Sequence, residues 1–112
     1  MPYIRTTVSK SINPGQRDIL KSKLGNAIAL IPGKSEAWLM LAFEDNMSMY
    51  FKGDNSADYA YVEVSLFGGA SDAAYDRLTA AISEIISETL GIDSSNIYIK
   101  YEEAEHWGWN GS

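Results

Sequence analysis

The feature that most constrains the fold of this chain is a strand–helix–strand pattern that occurs twice. When the sequence is aligned with itself so that Gly33 falls on Gly91, the apolar positions of the two halves coincide. The matched pairs are Leu20 with Leu78, Leu24 with Ile82, Ile28 with Ile86, Leu39 with Ile97, Leu41 with Ile99 and Phe43 with Tyr101. The pattern predicts one domain over 1–112 with an internal repeat at 2–45 and 60–103. The alternative is that two unrelated units of this type share the same apolar spacing.

Two segments have the apolar spacing of amphipathic helices. In the first, Asn13 is a capping residue, Pro14 suits the first helical position and Gln16 completes a capping box. We expect this helix to end near Gly33. The second helix begins at Ser71 or Asp72 and ends at Gly91.

Four segments are rich in β-branched and aromatic residues, which favour strands. They are Tyr3–Val8, Trp38–Phe43, Tyr61–Leu66 and Asn96–Tyr101. A shorter segment, Met47–Phe51, is a candidate edge strand before a turn at 52–55. The predicted order is therefore β-α-β, a short strand, and β-α-β again.

This order predicts an α/β fold in which tandem β-α-β units form a four-stranded mixed sheet with both helices on one face. The opposite face then carries apolar and aromatic side chains between charged ones. The apolar set is Tyr3, Trp38, Met40, Tyr61 and Tyr98, and the charged set is Arg5, Glu63 and Lys100. So much apolar surface predicts that other subunits cover this face.

Composition excludes several classes of protein. The chain has 112 residues, no cysteine and one histidine, His106, so disulfides, thiolate catalysis and zinc fingers are excluded. The net charge of −6 argues against a nucleic-acid partner, which requires clustered lysine and arginine. No apolar run approaches the roughly 20 residues of a membrane helix. The first residues lack the features of a signal peptide, so we expect a cytoplasmic protein, with secretion by another route left open.

Most catalytic motifs are absent, including phosphate-binding loops and nucleophile elbows. Gly68 and Gly69 precede the second helix, where backbone N–H groups bind anions. The more common role of such glycines is to let a strand turn into a helix, and we favour that interpretation.

Pro2 is the most informative residue. If Met1 is removed, Pro2 becomes a free secondary amine, and an α-amino group has a reference pKa of about 7.7–8.0. An apolar pocket and nearby cations both lower that pKa, which suits a general base at neutral pH. Many proteins begin Met-Pro without catalytic consequence, and a retained Met1 makes the Pro2 nitrogen an unreactive amide.

Four segments together resemble the macrophage migration inhibitory factor family of the tautomerase superfamily. They are Met1–Ile4, Pro32–Lys34, Ile97–Ile99 and the tail Trp107–Ser112. The resemblance implies a homotrimer whose sheets surround a channel, with active sites between adjacent subunits. It also implies keto–enol tautomerisation of phenylpyruvate-type α-keto acids. No cofactor or metal is expected, because enolisation requires only a base and charge stabilisation.

The resemblance also assigns roles to residues. Pro2 matches the catalytic base and acid, Lys34 the lysine that binds the substrate carboxylate, and Val64 the position whose backbone N–H holds the substrate. Tyr98 matches a tyrosine from the neighbouring subunit. The apolar pocket positions are Tyr3, Trp38 and Trp109.

Two positions depart from the family pattern. Lys100 replaces an asparagine that bonds the substrate oxygen, so a second cation lowers the Pro2 pKa further or favours a dianionic substrate. Trp107 replaces a smaller apolar residue and narrows the pocket. The physiological substrate is therefore left open.

Two other functions remain as alternatives. One is a non-enzymatic, cytokine-like or host-interaction protein with an unidentified receptor on the same trimer fold. The other is dehalogenation or decarboxylation of an unsaturated acid. That chemistry needs an added carboxylate or arginine to activate water, and neither Arg5 nor Glu63 forms a clear pair in the pocket.

Overall fold

The computed structural model describes all 112 residues and contains one four-stranded mixed sheet. The strands are β1 (Pro2–Val8), β2 (Met40–Glu44), β3 (Ala60–Phe67) and β4 (Ile97–Ala104), in the spatial order β2-β1-β3-β4. β1 pairs with β2 and β3 pairs with β4 in parallel, whereas β1 and β3 are antiparallel. The predicted pair of β-α-β units is confirmed as a topology, and their origin by duplication stays a prediction.

The two helices are α1 (Pro14–Ala27) and α2 (Asp72–Leu90). The predicted capping box is present: Asn13 Oδ1 accepts from the Gln16 N–H at 2.8 Å, and Gln16 Oε1 accepts from the Asn13 N–H at 3.0 Å. Ser71 caps α2, and Gly91 ends it with a left-handed φ of 71°. α1 is shorter than expected, since a single 3-10 turn (Ile28–Leu30) replaces its last residues before Gly33.

Both helices cover the same face of the sheet, and the core lies between these two layers. Alternate residues of β1 and β3 point into it, so Ile4, Val62 and Val64 are fully buried. Leu24 of α1 and Ile82 of α2 are also fully buried there. Each such side chain stabilises the fold by roughly 1.5–3 kcal/mol relative to exposure.

Two strand predictions were wrong. Trp38 does not begin a strand, because Glu36–Trp38 form one 3-10 turn and β2 starts at Met40. The 3-10 turn closes with a hydrogen bond from the Leu39 N–H to the Glu36 carbonyl at 3.1 Å, which competes with strand pairing at this point. Trp38 therefore precedes the sheet instead of belonging to one of its strands.

The segment Met47–Phe51 is also not a strand. Phe51 and Asp54 instead exchange two backbone hydrogen bonds, at 2.8 and 3.0 Å, and close a tight turn. The Met47 N–H donates to the carbonyl of Val8 at the end of β1 at 3.1 Å, but no further ladder hydrogen bonds follow along the segment, so it does not join the sheet.

The sheet face away from the helices is open in the single chain. Met40 is 68% exposed and Tyr98 is 62% exposed on this face, while Arg5 and Glu44 form an ion pair across β1 and β2. Neither helix is long and apolar enough to span a bilayer.

Candidate functional site

An apolar cleft of about 650 Å³ lies at the amino end of β1. Six of its lining residues were predicted from the sequence as pocket or open-face positions: Pro2, Tyr3, Trp38, Met40, Trp107 and Trp109. They come from three separate parts of the chain, namely the first strand, the segment that leads from the 3-10 turn into β2, and the carboxyl-terminal tail. The fold thus brings distant aromatic residues together around the start of the chain.

Pro2 is the first residue of β1 and is buried opposite Leu66 of β3. A proline is tolerated at this position because the first residue of a strand needs no donor to the ladder. Met1 precedes it, and the pKa of the Met1 amine is lowered first by burial, then by the positive charge of Lys34 and by a hydrogen bond with Lys34. The Met1 amine is therefore shifted toward its neutral form.

Lys34 is placed beside the amino end by a turn. Gly33 adopts a left-handed φ of 82°, which favours glycine, and the Lys34 N–H donates to the Ile31 carbonyl at 3.0 Å. The Lys34 Nζ donates to the Phe67 carbonyl oxygen at 3.0 Å. The ammonium is thereby held between the end of β3 and the start of β1.

The Phe67 amide is a site feature that the sequence did not reveal. Its N–H donates to the carbonyl oxygen of Met1 at 3.3 Å. Removal of Met1 takes that acceptor away and leaves an N–H donor near the Lys34 ammonium. A backbone N–H cannot be recognised from the type of side chain. It is identified only by the register of β3 against β1, which places Phe67 next to the first residues of the chain.

Val64, the residue predicted to supply a backbone donor, lies deeper in the sheet. Its side chain is fully buried in the core, and its backbone lies between Ile4 of β1 and Tyr101 of β4. The residue whose backbone N–H contacts the amino end is Phe67 and not Val64. A binding role for Val64 stays a prediction.

Two tryptophans build one wall of the cleft. The rings of Trp38 and Trp109 meet edge to face, with centroids 4.9 Å apart and an interplanar angle of 86°. The tail is folded back by a tight turn in which Trp109 and Ser112 exchange two backbone hydrogen bonds of 3.2 Å.

Tyr98 and Lys100 lie away from this cleft in the single chain. Tyr98 is opposite Tyr61, which is opposite Thr7 at the far end of β1 from Pro2. The Phe51 ring contacts Tyr98 edge to face at 5.2 Å. Tyr98 can therefore approach a Pro2 nitrogen only if that nitrogen belongs to another subunit.

Lys100 lies on the open sheet face, two residues after Tyr98. A hydrogen bond with Tyr61 is the main cause that raises the pKa of Lys100, and the charges of Glu102 and Glu63 raise it further. The ammonium therefore stays charged at neutral pH.

No group of three histidine or acidic side chains is arranged to ligate a metal ion. The chain's amine lies at the apolar cleft, and the Lys34 ammonium and the Phe67 amide contact Met1 beside it. Such a site can bind an anion that carries an apolar group and can exchange a proton with it.

A family model for macrophage migration inhibitory factor matches residues 1–112. This chain belongs to the macrophage migration inhibitory factor family. Its structure is similar to that of Leishmania major MIF2, with 33% identity, a TM-score of 0.92, and coverage of 100% of this chain and 96% of that chain. A search of curated proteins found no match.

Two further solved structures have the same fold. A homologue of the factor from Prochlorococcus marinus is 28% identical, with a TM-score of 0.86 and coverage of 98% and 96% of the two chains. A fused 4-OT protein described as a wild-type symmetric trimer is 18% identical, with a TM-score of 0.86 and coverage of 98% and 94%. At 18% identity, the similarity to the fused 4-OT protein shows a shared fold alone.

Proposed function

We propose that this protein is a keto–enol tautomerase of phenylpyruvate-type α-keto acids, active after removal of Met1. The observation that carries the proposal is the arrangement at the amino end. Pro2 is buried and lines an apolar cleft, and Met1 directly before it contacts the Phe67 N–H through its carbonyl and Lys34 through its amine. Family membership supports the same class of reaction.

In the proposed complex, the substrate carboxylate takes the place of the Met1 carbonyl. It accepts hydrogen bonds from the Phe67 N–H and the Lys34 Nζ, and both charge and geometry favour this pairing. The Lys34 ammonium has a second effect, because it also keeps the neighbouring Pro2 nitrogen neutral.

The neutral Pro2 nitrogen then moves one proton. In the ketonisation direction, the neutral Pro2 nitrogen accepts the proton of the enol hydroxyl and becomes a secondary ammonium. The ammonium then donates a proton to the carbon α to the carbonyl, which regenerates the neutral amine. The reaction is an isomerisation without net change in atoms or electrons. A positioned general acid–base group typically contributes 10²- to 10⁴-fold to such a rate.

The aromatic wall supplies the binding surface for the substrate ring. Trp38 and Trp109 already meet edge to face, and Tyr3 and Trp107 line the same cleft. We expect an aryl substituent to bind better than a methyl group of the same α-keto acid, because it buries more apolar surface.

The proposed enzyme is a homotrimer. The open sheet face exposes Met40 and Tyr98, and exposed apolar area of this kind indicates a partner surface. The fused 4-OT protein of the same fold is a symmetric trimer. In the trimer, Tyr98 and Lys100 of a neighbouring subunit complete the polar end of the site near the substrate oxygen.

The test measures loss of enolphenylpyruvate absorbance with the processed protein and two variants. Pro2→Gly replaces the secondary amine by a primary one, and an extra alanine between Met1 and Pro2 keeps the proline but makes its nitrogen an amide. We expect both changes to lower kcat/KM, the second by about 10²- to 10⁴-fold. Equal rates for all three proteins would remove Pro2 from the mechanism.

The same experiment separates the alternatives. A processed, trimeric protein without any tautomerase activity favours the non-enzymatic binding function. Turnover of unsaturated or halogenated acids, with none of α-keto acids, favours the water-activating chemistry instead. The cytoplasmic location is a separate prediction, which fractionation of the producing cells tests.

A further inference from the structure

We propose that Tyr75 and Glu103 are positioning residues that hold the Phe67 amide in its binding geometry. They act through Gly69, which lies two residues after Phe67 in the chain. The inference rests on the proposed function, since it assigns Phe67 to the substrate carboxylate. Tyr75 and Glu103 both lie outside the cleft.

The contact between these residues is close and directional. The Tyr75 hydroxyl donates to Glu103 Oε2 at 2.6 Å. The same carboxylate lies against Gly69 so closely that a Cβ on this residue would be 2.3 Å from Oε2 and 2.7 Å from Cδ. A side chain at position 69 would displace the carboxylate, so glycine at this position permits the Glu103 carboxylate to pack against the turn.

The turn is also fixed from β4. The Gly68 N–H donates to the Ala104 carbonyl at 2.9 Å, and Gly68 adopts a left-handed φ of 80°. Glu103 and Ala104 are consecutive, so the end of β4 holds both Gly68 and Gly69. On the other side, Phe67 contacts Met1 through its N–H and Lys34 through its carbonyl. Displacement of Glu103 is therefore transmitted to Phe67 over two peptide units.

The hydrogen bond between Tyr75 and Glu103 persists across the neutral range. Burial, followed by the hydrogen bond and charge of Glu103, raises the pKa of Tyr75 to about 12. The phenol thus remains protonated, and can donate a hydrogen bond, at neutral pH.

A neighbouring tyrosine provides a matched control. The Tyr101 ring lies 4.4 Å from the Tyr75 ring, centroid to centroid. Its hydroxyl, however, pairs with Thr79 Oγ1 at 2.7 Å and with the Tyr75 carbonyl at 3.2 Å, both on α2. Removal of the Tyr75 or the Tyr101 hydroxyl deletes side-chain hydrogen bonds from the same pair of stacked rings. Only the Tyr75 hydroxyl bonds to Glu103, which packs against the turn at Gly69.

The experiment compares Tyr75→Phe with Tyr101→Phe in the full-length processed protein. We expect Tyr75→Phe to raise KM for enolphenylpyruvate by about 3- to 10-fold, with little change in kcat, because the lost interaction orients a binding donor. Tyr101→Phe should leave KM within twofold. The second measurement is the NMR shift and hydrogen exchange of the Phe67 amide, which should change only in Tyr75→Phe.

Gly69→Ala tests the same connection from the other side. Its Cβ displaces the flexible Glu103 carboxylate, so KM should rise as in Tyr75→Phe, and the double variant should be no worse than the poorer single one. Additive effects, or a Tyr75→Phe protein with unchanged KM and an unchanged Phe67 amide, would overturn the proposal. If the wild-type protein has no tautomerase activity, the proposed function fails, and the Phe67 amide still decides whether Tyr75 positions it.

Discussion

The two β-α-β units are alike where they build the core and differ where each helix ends. Gly33 and Gly91 both adopt left-handed φ angles, 82° and 71°, after the helical part of their units. The next residue of the first unit, Lys34, reaches the Phe67 carbonyl near the amino end. Its counterpart in the second unit, Ile92, is 1% exposed and belongs to the core. The position after the glycine thus holds a charged residue near the amino end in the first unit and an apolar core residue in the second.

The segments that follow differ in the same way. After Lys34, the 3-10 turn at Glu36–Trp38 directs Trp38 into the cleft. After Ile92, Asp93 accepts a hydrogen bond from the Ser95 N–H at 2.9 Å and begins a 3-10 turn with no cleft beside it. The comparison indicates that the core pattern specifies the fold, whereas the segment between helix and strand specifies the site.

The largest expected effect is on stability, in the second unit. Ile92→Ala leaves a cavity in the core and should lower the free energy of unfolding by about 2–5 kcal/mol. The activity per folded molecule should stay unchanged, because Ile92 has no contact with the cleft. Denaturant unfolding and active-site titration measure the two quantities, and a selective loss of activity would break the comparison.

The counterpart substitution in the first unit should have the opposite outcome. Lys34→Ala removes a charged donor for the carboxylate, so kcat/KM should fall by about 10- to 100-fold. The free energy of unfolding should change by less than about 1 kcal/mol, as is usual for surface positions. Lys34→Arg, which retains the charge, serves as the control; equal losses for both variants would contradict a charge-based role.

The pH dependence sharpens the role of Lys34. The rate should rise with pH through the pKa of the Pro2 amine, since only the neutral amine accepts a proton. Burial and Lys34 lower the pKa of the Met1 amine, and we expect them to act on the Pro2 amine after processing in the same direction. Lys34→Gln should therefore move the midpoint of the profile to higher pH. The pH profile of kcat/KM measures this shift, and an unchanged midpoint argues against contact between the two groups.

The smallest effects should come from the paired glycines. Alanine at either position is strained by the positive φ, with an expected cost of about 1–2 kcal/mol in stability. Gly33→Ala should also raise KM, because it disturbs the turn that carries Lys34, whereas Gly91→Ala should not. Thermal unfolding and steady-state kinetics together distinguish the two variants.

Much of the fold was predictable because its determinants are local. The capping box of Asn13 and Gln16 and the glycine that ends α2 depend on residues within a few positions, and the structure contains both. The start of β2 and the segment Met47–Phe51 depend on which strands are within reach, which apolar spacing does not specify. The apolar spacing therefore predicts a strand at Trp38, where the structure has a 3-10 turn.

The site was predictable only in part. Pro2, Lys34, Trp38 and Trp109 have distinctive side chains, and the structure brings them to one end of the sheet. The Phe67 amide has no side-chain signal and follows from the register of β1 against β3. The contribution of Tyr98 depends on a neighbouring subunit, which no single-chain contact specifies.

The most direct test of the account is the protonation state of Pro2. An NMR titration of the Pro2 nitrogen in the processed protein should give a pKa below the ordinary α-amino value of about 8. The tautomerase rate should rise with the same midpoint. Two results would contradict the central claim that a neutral amine at the amino end performs the chemistry. One is an ordinary or raised pKa of the Pro2 nitrogen, and the other is a tautomerase rate that does not change as this nitrogen titrates.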